Sequence, residues 1–345
     1  MHTLIGVTQT VGKKQGSDLS TAKRITLTSI AATISFWGLV AAAPFTASIA
    51  QAQTDASQLV LQHPGWIQVP GALVRPDCVH EIPSGASIKM ENGKVTGDVS
   101  LNGSIIAHYD PCSEDATVRL PKTPSDDSAI TNATGNGLVE ASYWVDSSLG
   151  SSDNIDFVGN DLTVPSKPSK NGAVIYLYNG LENSTETYAF EPTLQYGNNG
   201  ISGGNYWVIE TYFITPGTTY YSPAETVNAG DSLSLFTEIY ADSSGTLDWL
   251  VEAEDLKTGA FTYQDDTSSG LQWNLPIAGG LAAFNVTTCS DFPAAGKAVF
   301  SKTVVDHDFP SYKALTPKWV GSVYSYGGPS CGFKVVPGNK STLDF

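Results

Sequence analysis

The sequence predicts an all-β protein, an antiparallel two-sheet β-sandwich preceded by a small β-rich disulfide module. Three observations carry this. Apolar and polar residues alternate with a period of two through much of the second half, and those runs are rich in Val, Ile, Thr, Tyr, Phe and Trp and end at Gly, Asn, Asp or Pro. No segment of useful length keeps a helical period.

The first element in chain order is a targeting segment, residues 1–52. Lys13, Lys14, Lys23 and Arg24 form a positive region, an uncharged stretch runs from Ile25 to Ala50, and Ala50-Gln51-Ala52 has the small-x-small form that signal peptidases cut. Export, to a secreted or periplasmic location, is the expectation, with no membrane attachment after cleavage. Without this segment the chain keeps 14 basic and 33 acidic residues, a formal charge of −19. So acidic a surface repels phosphate, which argues against a nucleic-acid partner and suits work at low pH, where protonation relieves self-repulsion.

Residues 53–120 form the expected small module, with short extended runs such as Ser87-Ile88-Lys89-Met90 and Ser104-Ile105-Ile106-Ala107 between Gly and Pro. The four cysteines, Cys78, Cys112, Cys289 and Cys331, all lie beyond the targeting segment, and in an oxidising compartment an even number points to disulfides. Three connectivities are open; proximity favours Cys78 with Cys112 and Cys289 with Cys331. With no Cys-x-x-Cys pair and scattered histidines, no metal site is expected. Residues 121–136, dense in Pro, Asp, Ser, Thr and Asn, read as a linker.

Residues 137–345 carry the sandwich. Along 247–254, Leu247, Trp249, Val251 and Ala253 fall on one face and Asp248, Glu252 and Glu254 on the other, the pattern of a half-buried strand. Similar runs cover Ala173 to Tyr178, Tyr206 to Ile214, Asp231 to Tyr240 and Lys297 to Val305. Gly197 to Gly204 reads as a flexible loop between strands.

Several familiar signals fail. Gly328-Pro329-Ser330-Cys331-Gly332 matches a Gly-x-Ser-x-Gly elbow as a string, but no helix pattern or His follows it before the chain ends. No phosphate loop, zinc-protease helix or calcium loop is present, so no cofactor is expected.

A resemblance emerges from the order of motifs after residue 137. Gly137-Leu138-Val139-Glu140-Ala141-Ser142-Tyr143-Trp144 is followed by Pro192-Thr193-Leu194-Gln195-Tyr196-Gly197 and by the aromatic run Tyr206-Trp207-Val208-Ile209-Glu210-Thr211-Tyr212. Next come Gly230-Asp231, Thr258-Gly259, Leu271-Gln272-Trp273 and Asp291-Phe292-Pro293. This succession resembles the eqolisins, the glutamic peptidases, over roughly half the chain, and implies a concanavalin-like jelly roll. In that family a Glu acts as general base on a water beside a Gln that orients it, so both must reach one point on a concave sheet. Gln195 matches the Gln. The slot for the Glu holds Ala282, and no carboxylate lies between Asp266 and Asp291. An amide alone cannot take the water's proton.

Two readings follow. In the first, the chain is a non-catalytic or impaired relative that binds peptide or glycan on the concave sheet, with Tyr206, Trp207 and Tyr212 as ligand contacts. In the second it is a working acid hydrolase, with Gln195 served by Glu210 or Glu140, or a glycosidase using Glu252 and Glu254, two positions apart on one strand face. The N-terminal module reads as a cystine-stapled docking domain or a pro-segment. Nothing in the sequence fixes the oligomeric state.

Overall fold

Alternation decides the architecture, because each long strand carries one face for the space between two sheets and another for the outside. The computed structural model describes residues 56–120, 137–144, 154–241, 245–267, 271–324, 329 and 331–345. The expected targeting segment and linker lie outside them. Apart from the short helix Ala56–Gln62 and three 3-10 turns, the described elements are strands, and among the described residues no helix is long and apolar enough to cross a membrane.

Among the described residues one sheet has nine strands. Its centre runs Gly137–Tyr143, Trp273–Phe284, Val174–Asn183, Ala189–Tyr196 and Trp207–Ile214, all antiparallel. An eleven-stranded sheet has Lys297–His307, Ile155–Thr163, Ser232–Ala241, Leu247–Asp255 and Phe261–Thr267 at its centre. Leu177, Leu194, Ile209 and Leu281 of the first sheet meet Leu162, Leu233, Leu235 and Phe300 of the second in one buried cluster. Toward the other end, Phe190, Phe213, Trp249 and Trp273 form a second, with Phe190 stacked on Trp273 at a centroid distance of 4.3 Å. These two clusters are the sandwich core. Both expected disulfides form, Cys78–Cys112 and Cys289–Cys331.

The segment read from the sequence as a module of its own, 53–120, joins the sandwich through its described strands at one edge of each sheet. Val79–Glu81 pairs in parallel with Thr219–Tyr221 of the nine-stranded sheet, and Ser87–Glu91 pairs in parallel with Phe261–Thr267 of the other. Residues Ala52–Phe345 accordingly form one compact unit. A third, three-stranded sheet, Ile67–Val69, Ala72–Val74 and Thr117–Arg119, lies against the outer face of the nine-stranded sheet: Ile67, Val69, Leu73 and Val74 share a buried cluster with Tyr176, Tyr178, Tyr212 and Ala282.

Candidate functional site

Strand register places the family-like residues in two adjacent rows across the outer face of the nine-stranded sheet. One row reads Leu138, Ala282, Tyr176, Gln195, Val208; the next reads Ala141, Gly280, Tyr178, Thr193, Glu210. Directly paired residues point to the same face, so Gln195, Glu210, Tyr176 and Tyr212 all project toward the N-terminal hairpin. Each is fully buried.

Gln195 is held from two sides. Its Nε2 donates to the carbonyl of Gly197 at 3.1 Å and to the carbonyl and hydroxyl oxygens of Ser202, each at 3.3 Å. Its Oε1 accepts from Asn199 Nδ2 at 3.2 Å and lies 3.0 Å from the Tyr212 hydroxyl. The Gly197 to Gly204 segment, expected as a flexible loop, is therefore a clamp. Gly203 makes it possible: with φ at +78°, a Cβ there would sit 2.5 Å from Gln195 Nε2 and 2.2 Å from the Gly197 carbonyl oxygen.

The Tyr212 hydroxyl joins Gln195 to Glu210, whose Oε2 is 2.5 Å away. Burial, partly offset by hydrogen bonds from Ser202 and Tyr212 and reinforced by the nearby charge of Glu81, raises the Glu210 carboxyl to about 7. A single hydroxyl hydrogen cannot serve both neighbours of Tyr212. With Glu210 protonated, its carboxyl donates to the Tyr212 oxygen and the Tyr212 hydrogen goes to Gln195 Oε1; with Glu210 ionised, that hydrogen turns to the carboxylate and Gln195 Oε1 keeps only its bond from Asn199. Asn199 Nδ2 also reaches the Tyr176 hydroxyl at 3.0 Å. Tyr176 in turn donates to the backbone carbonyl of Gln68 at 2.6 Å, which ties the network to the covering hairpin.

The other expected site residues are elsewhere. Glu140 is buried but paired with Leu281, on the face turned into the sandwich; a register shift between Leu281 and Ala282 separates it from its neighbour Leu138, which faces outward. Burial and the Asp344 carboxylate push it well above its ordinary value. It does not converge with Gln195. Trp207 also points into the core, with its ring 5.3 Å from that of Tyr196, because it alternates with Glu210 and Tyr212 one step out of phase. Tyr206 is half exposed ahead of the strand, its hydroxyl donating to the Gly203 carbonyl at 3.4 Å. Of the three expected ligand contacts, only Tyr212 belongs to the buried network.

Glu252 and Glu254 lie on the outer face of the eleven-stranded sheet, since Val251 and Ala253 fill the inner one. Glu252 is half-buried, and desolvation with the charges of Glu254, Glu238 and Asp265 raises it to about 7. This pair is on the opposite side of the molecule from Gln195. Cys331 of the Gly-x-Ser-x-Gly string is disulfide-bonded, and its neighbours 325–328 and 330 lie outside the described residues. Among the described residues no group of His, Cys, Asp or Glu could hold a metal ion.

Asn199 and Ser202 are site residues that the sequence did not single out. Neither stands in a pattern: only the folded loop brings them onto Gln195.

Comparison with known proteins finds similarity among solved structures alone. No family model matches the chain, and no curated protein matches it. Among solved structures, the chain is similar to scytalido-glutamic peptidase bound to a peptide-based transition state analog, at 13% identity and a TM-score of 0.39, covering 60% of this chain and 98% of that one. It is similar also to SCP-B, a member of the eqolisin family of peptidases in complex with the tripeptide Ala-Ile-His, at 12% identity and a TM-score of 0.38 over the same shares. A bacteriophage CBA120 tailspike domain follows at 11% identity and a TM-score of 0.26, covering 58% of this chain and 33% of that one. None of these scores exceeds 0.39, and the two-sheet β-sandwich rests on the strand pairing of the chain itself.

Proposed function

We propose that this is an exported, eqolisin-like protein that holds an extended peptide on its concave sheet without cleaving it. The observation that carries the reading is the hairpin of Ile67–Val69 and Ala72–Val74 lying on that sheet, with the Gln68 carbonyl accepting the Tyr176 hydroxyl at 2.6 Å. The face thus already takes an extended backbone through a side-chain donor, and a ligand strand would take the hairpin's place there. Beside it the Ala282 slot is closed, fully buried among Leu138, Tyr176 and Phe284, with no carboxyl to draw a proton from water.

A second reading has one observation in its favour. Glu210 is joined to Gln195 through a single hydroxyl, so a carboxyl does reach the Gln, and a value near 7 would let it serve as base only near neutrality. Proteolysis of an unfolded protein substrate from about pH 2 to 7 separates the two. The binding reading expects no turnover at any pH by the folded protein. Turnover that disappears in both Gln195→Ala and Glu210→Gln would replace it with the hydrolase reading.

A further inference from the structure

Where the N-terminal segment meets the far end of the nine-stranded sheet, it leaves a cavity of about 210 Å³. Glu114, Thr117 and Arg119 wall it from the segment, and Thr187, Thr215 and Pro216 wall it from the sandwich. Thr187 and Thr215 flank the strand pair that ends with Ala189 opposite Ile214, six residues along from Gln195 opposite Val208, or about 20 Å. The cavity is therefore separate from the Gln195 network, and its reading does not use the peptide reading above.

Thr117 and Arg119 stand two apart on one short strand and so share a face. Their partners across the ladder, Val74 and Ala72, are fully buried in the cluster against the nine-stranded sheet, so this register turns a hydroxyl and a guanidinium inward. Arg119 Nε and Nη2 and Thr117 Oγ1 are buried there with no hydrogen-bond partner. The other two hydroxyls are engaged: Thr215 donates to the Thr218 carbonyl at 2.8 Å, and Thr187 Oγ1 accepts from Asn183 Nδ2 at 3.1 Å. Nε and Nη2 form the side edge of the guanidinium, whose two parallel N–H groups match the two oxygens of one carboxylate. A buried charged donor with no acceptor is costly, and an oxyanion is the group that satisfies this edge. Glu114, exposed at the rim, brings the opposite charge. Among the described residues neither it nor Arg119 is in an ion pair, so the cavity carries one cation and one anion, each without a counterpart.

We infer that this cavity is a binding site for a free α-amino acid with a small polar side chain, its carboxylate on the Nε and Nη2 edge of Arg119 beside the Thr117 hydroxyl and its ammonium facing Glu114. A turn about the last bonds of the Arg119 side chain brings the buried edge to the cavity. A simple anion would leave Glu114 as a repelling charge, and a simple cation would leave Arg119 unpaired; a zwitterion answers both. Size agrees with this. A cavity of roughly 150 Å³ takes benzene, so about 210 Å³ suits a molecule slightly bulkier than that and excludes a drug-sized one.

The test is ligand-observed NMR titration of the purified protein with L-threonine, with 3-hydroxybutanoate, which lacks only the ammonium, and with L-threonine amide, which lacks the carboxylate. L-threonine should bind at least about 10-fold tighter than the amide, which offers the Arg119 fork no charge. Its advantage over 3-hydroxybutanoate should be about 3-fold, because water screens the exposed Glu114. Arg119→Lys keeps the charge without the fork and should weaken L-threonine at least about 10-fold. Glu114→Gln, a change at an exposed position, should bring L-threonine to the level of 3-hydroxybutanoate, and it decides the matter should the Arg119 variant fail to fold. Equal binding of L-threonine and 3-hydroxybutanoate would overturn the zwitterion. Equal binding of the amide, or unchanged binding by Arg119→Lys, would overturn the role of Arg119 and the site with it. No binding of any of the three at millimolar concentration would overturn the site outright and leave the peptide reading untouched.

Discussion

Replacing Glu210 by Gln removes the ionisation and keeps the shape, which makes it a sharp probe of the buried network. An acid whose folded value is raised holds its proton more tightly in the native state. Its contribution to stability is therefore complete at pH below the unfolded value near 4.5, is lost as pH rises toward the folded value of about 7, and levels off above it. A rise of about 2.5 units corresponds to roughly 3 kcal/mol, nearly all of it spent by pH 7. Relative to wild type, Glu210→Gln should be within about 1 kcal/mol at pH 4 and should gain about 3 kcal/mol between pH 4 and pH 8. Denaturant unfolding of both proteins at pH 4, 6 and 8, at one ionic strength, reads this directly. Other raised carboxyls, such as Asp265 at about 6, cancel in the difference. A difference constant within about 1 kcal/mol across that range would mean that Glu210 titrates as an ordinary exposed acid, and the hydroxyl link to Gln195 would lose its basis.

Three further outcomes are expected. Tyr176→Phe removes the donor to the Gln68 carbonyl and should cost about 1 kcal/mol, with faster amide exchange concentrated in 67–74; exchange that rises evenly over the whole chain would show that the hairpin is not held there. Cys78→Ala with Cys112→Ala opens a closed loop with a sequence separation of 34, and the chain-entropy relation gives a loss of about 4 kcal/mol, measured by chemical denaturation; a loss under about 1 kcal/mol would mean that pairing at the sheet edges already restrains the segment. Ala282→Glu places a carboxyl in a fully buried apolar setting and should cost about 3 kcal/mol or more at pH 8, and less at pH 4, without conferring proteolysis; a neutral substitution would show that the slot still has room for the acid.

The strands were legible where one face is apolar and the other polar. The alternation of Leu247, Trp249, Val251 and Ala253 matches the strand Leu247–Asp255, and the runs from 231 and 297 match Ser232–Ala241 and Lys297–His307. The site was legible only in part. Gln195 and Glu210 share a face because Gln195 pairs with Val208 and Glu210 stands two positions on, and period two sends Trp207 to the other side, which its place in an aromatic run concealed. Glu140 was misplaced because the shift in register beside Leu281 is a property of the strand pair and leaves no trace in either segment alone. Least legible was the cover. The polar and aromatic face of Trp207–Ile214 has the composition of an open groove, and what closes it comes from more than 100 residues away, as in the Tyr176 to Gln68 bond, so no local pattern announces it.

The two parallel additions at the sheet edges bear on what happens if residues 53–120 are removed. Thr219–Tyr221 and Phe261–Thr267 would each lose a partner strand and present bare amide and carbonyl groups, with Phe261 already exposed beside them. Such edges recruit the edges of other molecules. Trimming the N-terminal segment should therefore promote self-association through two newly bared strands, which the segment covers from within the same chain.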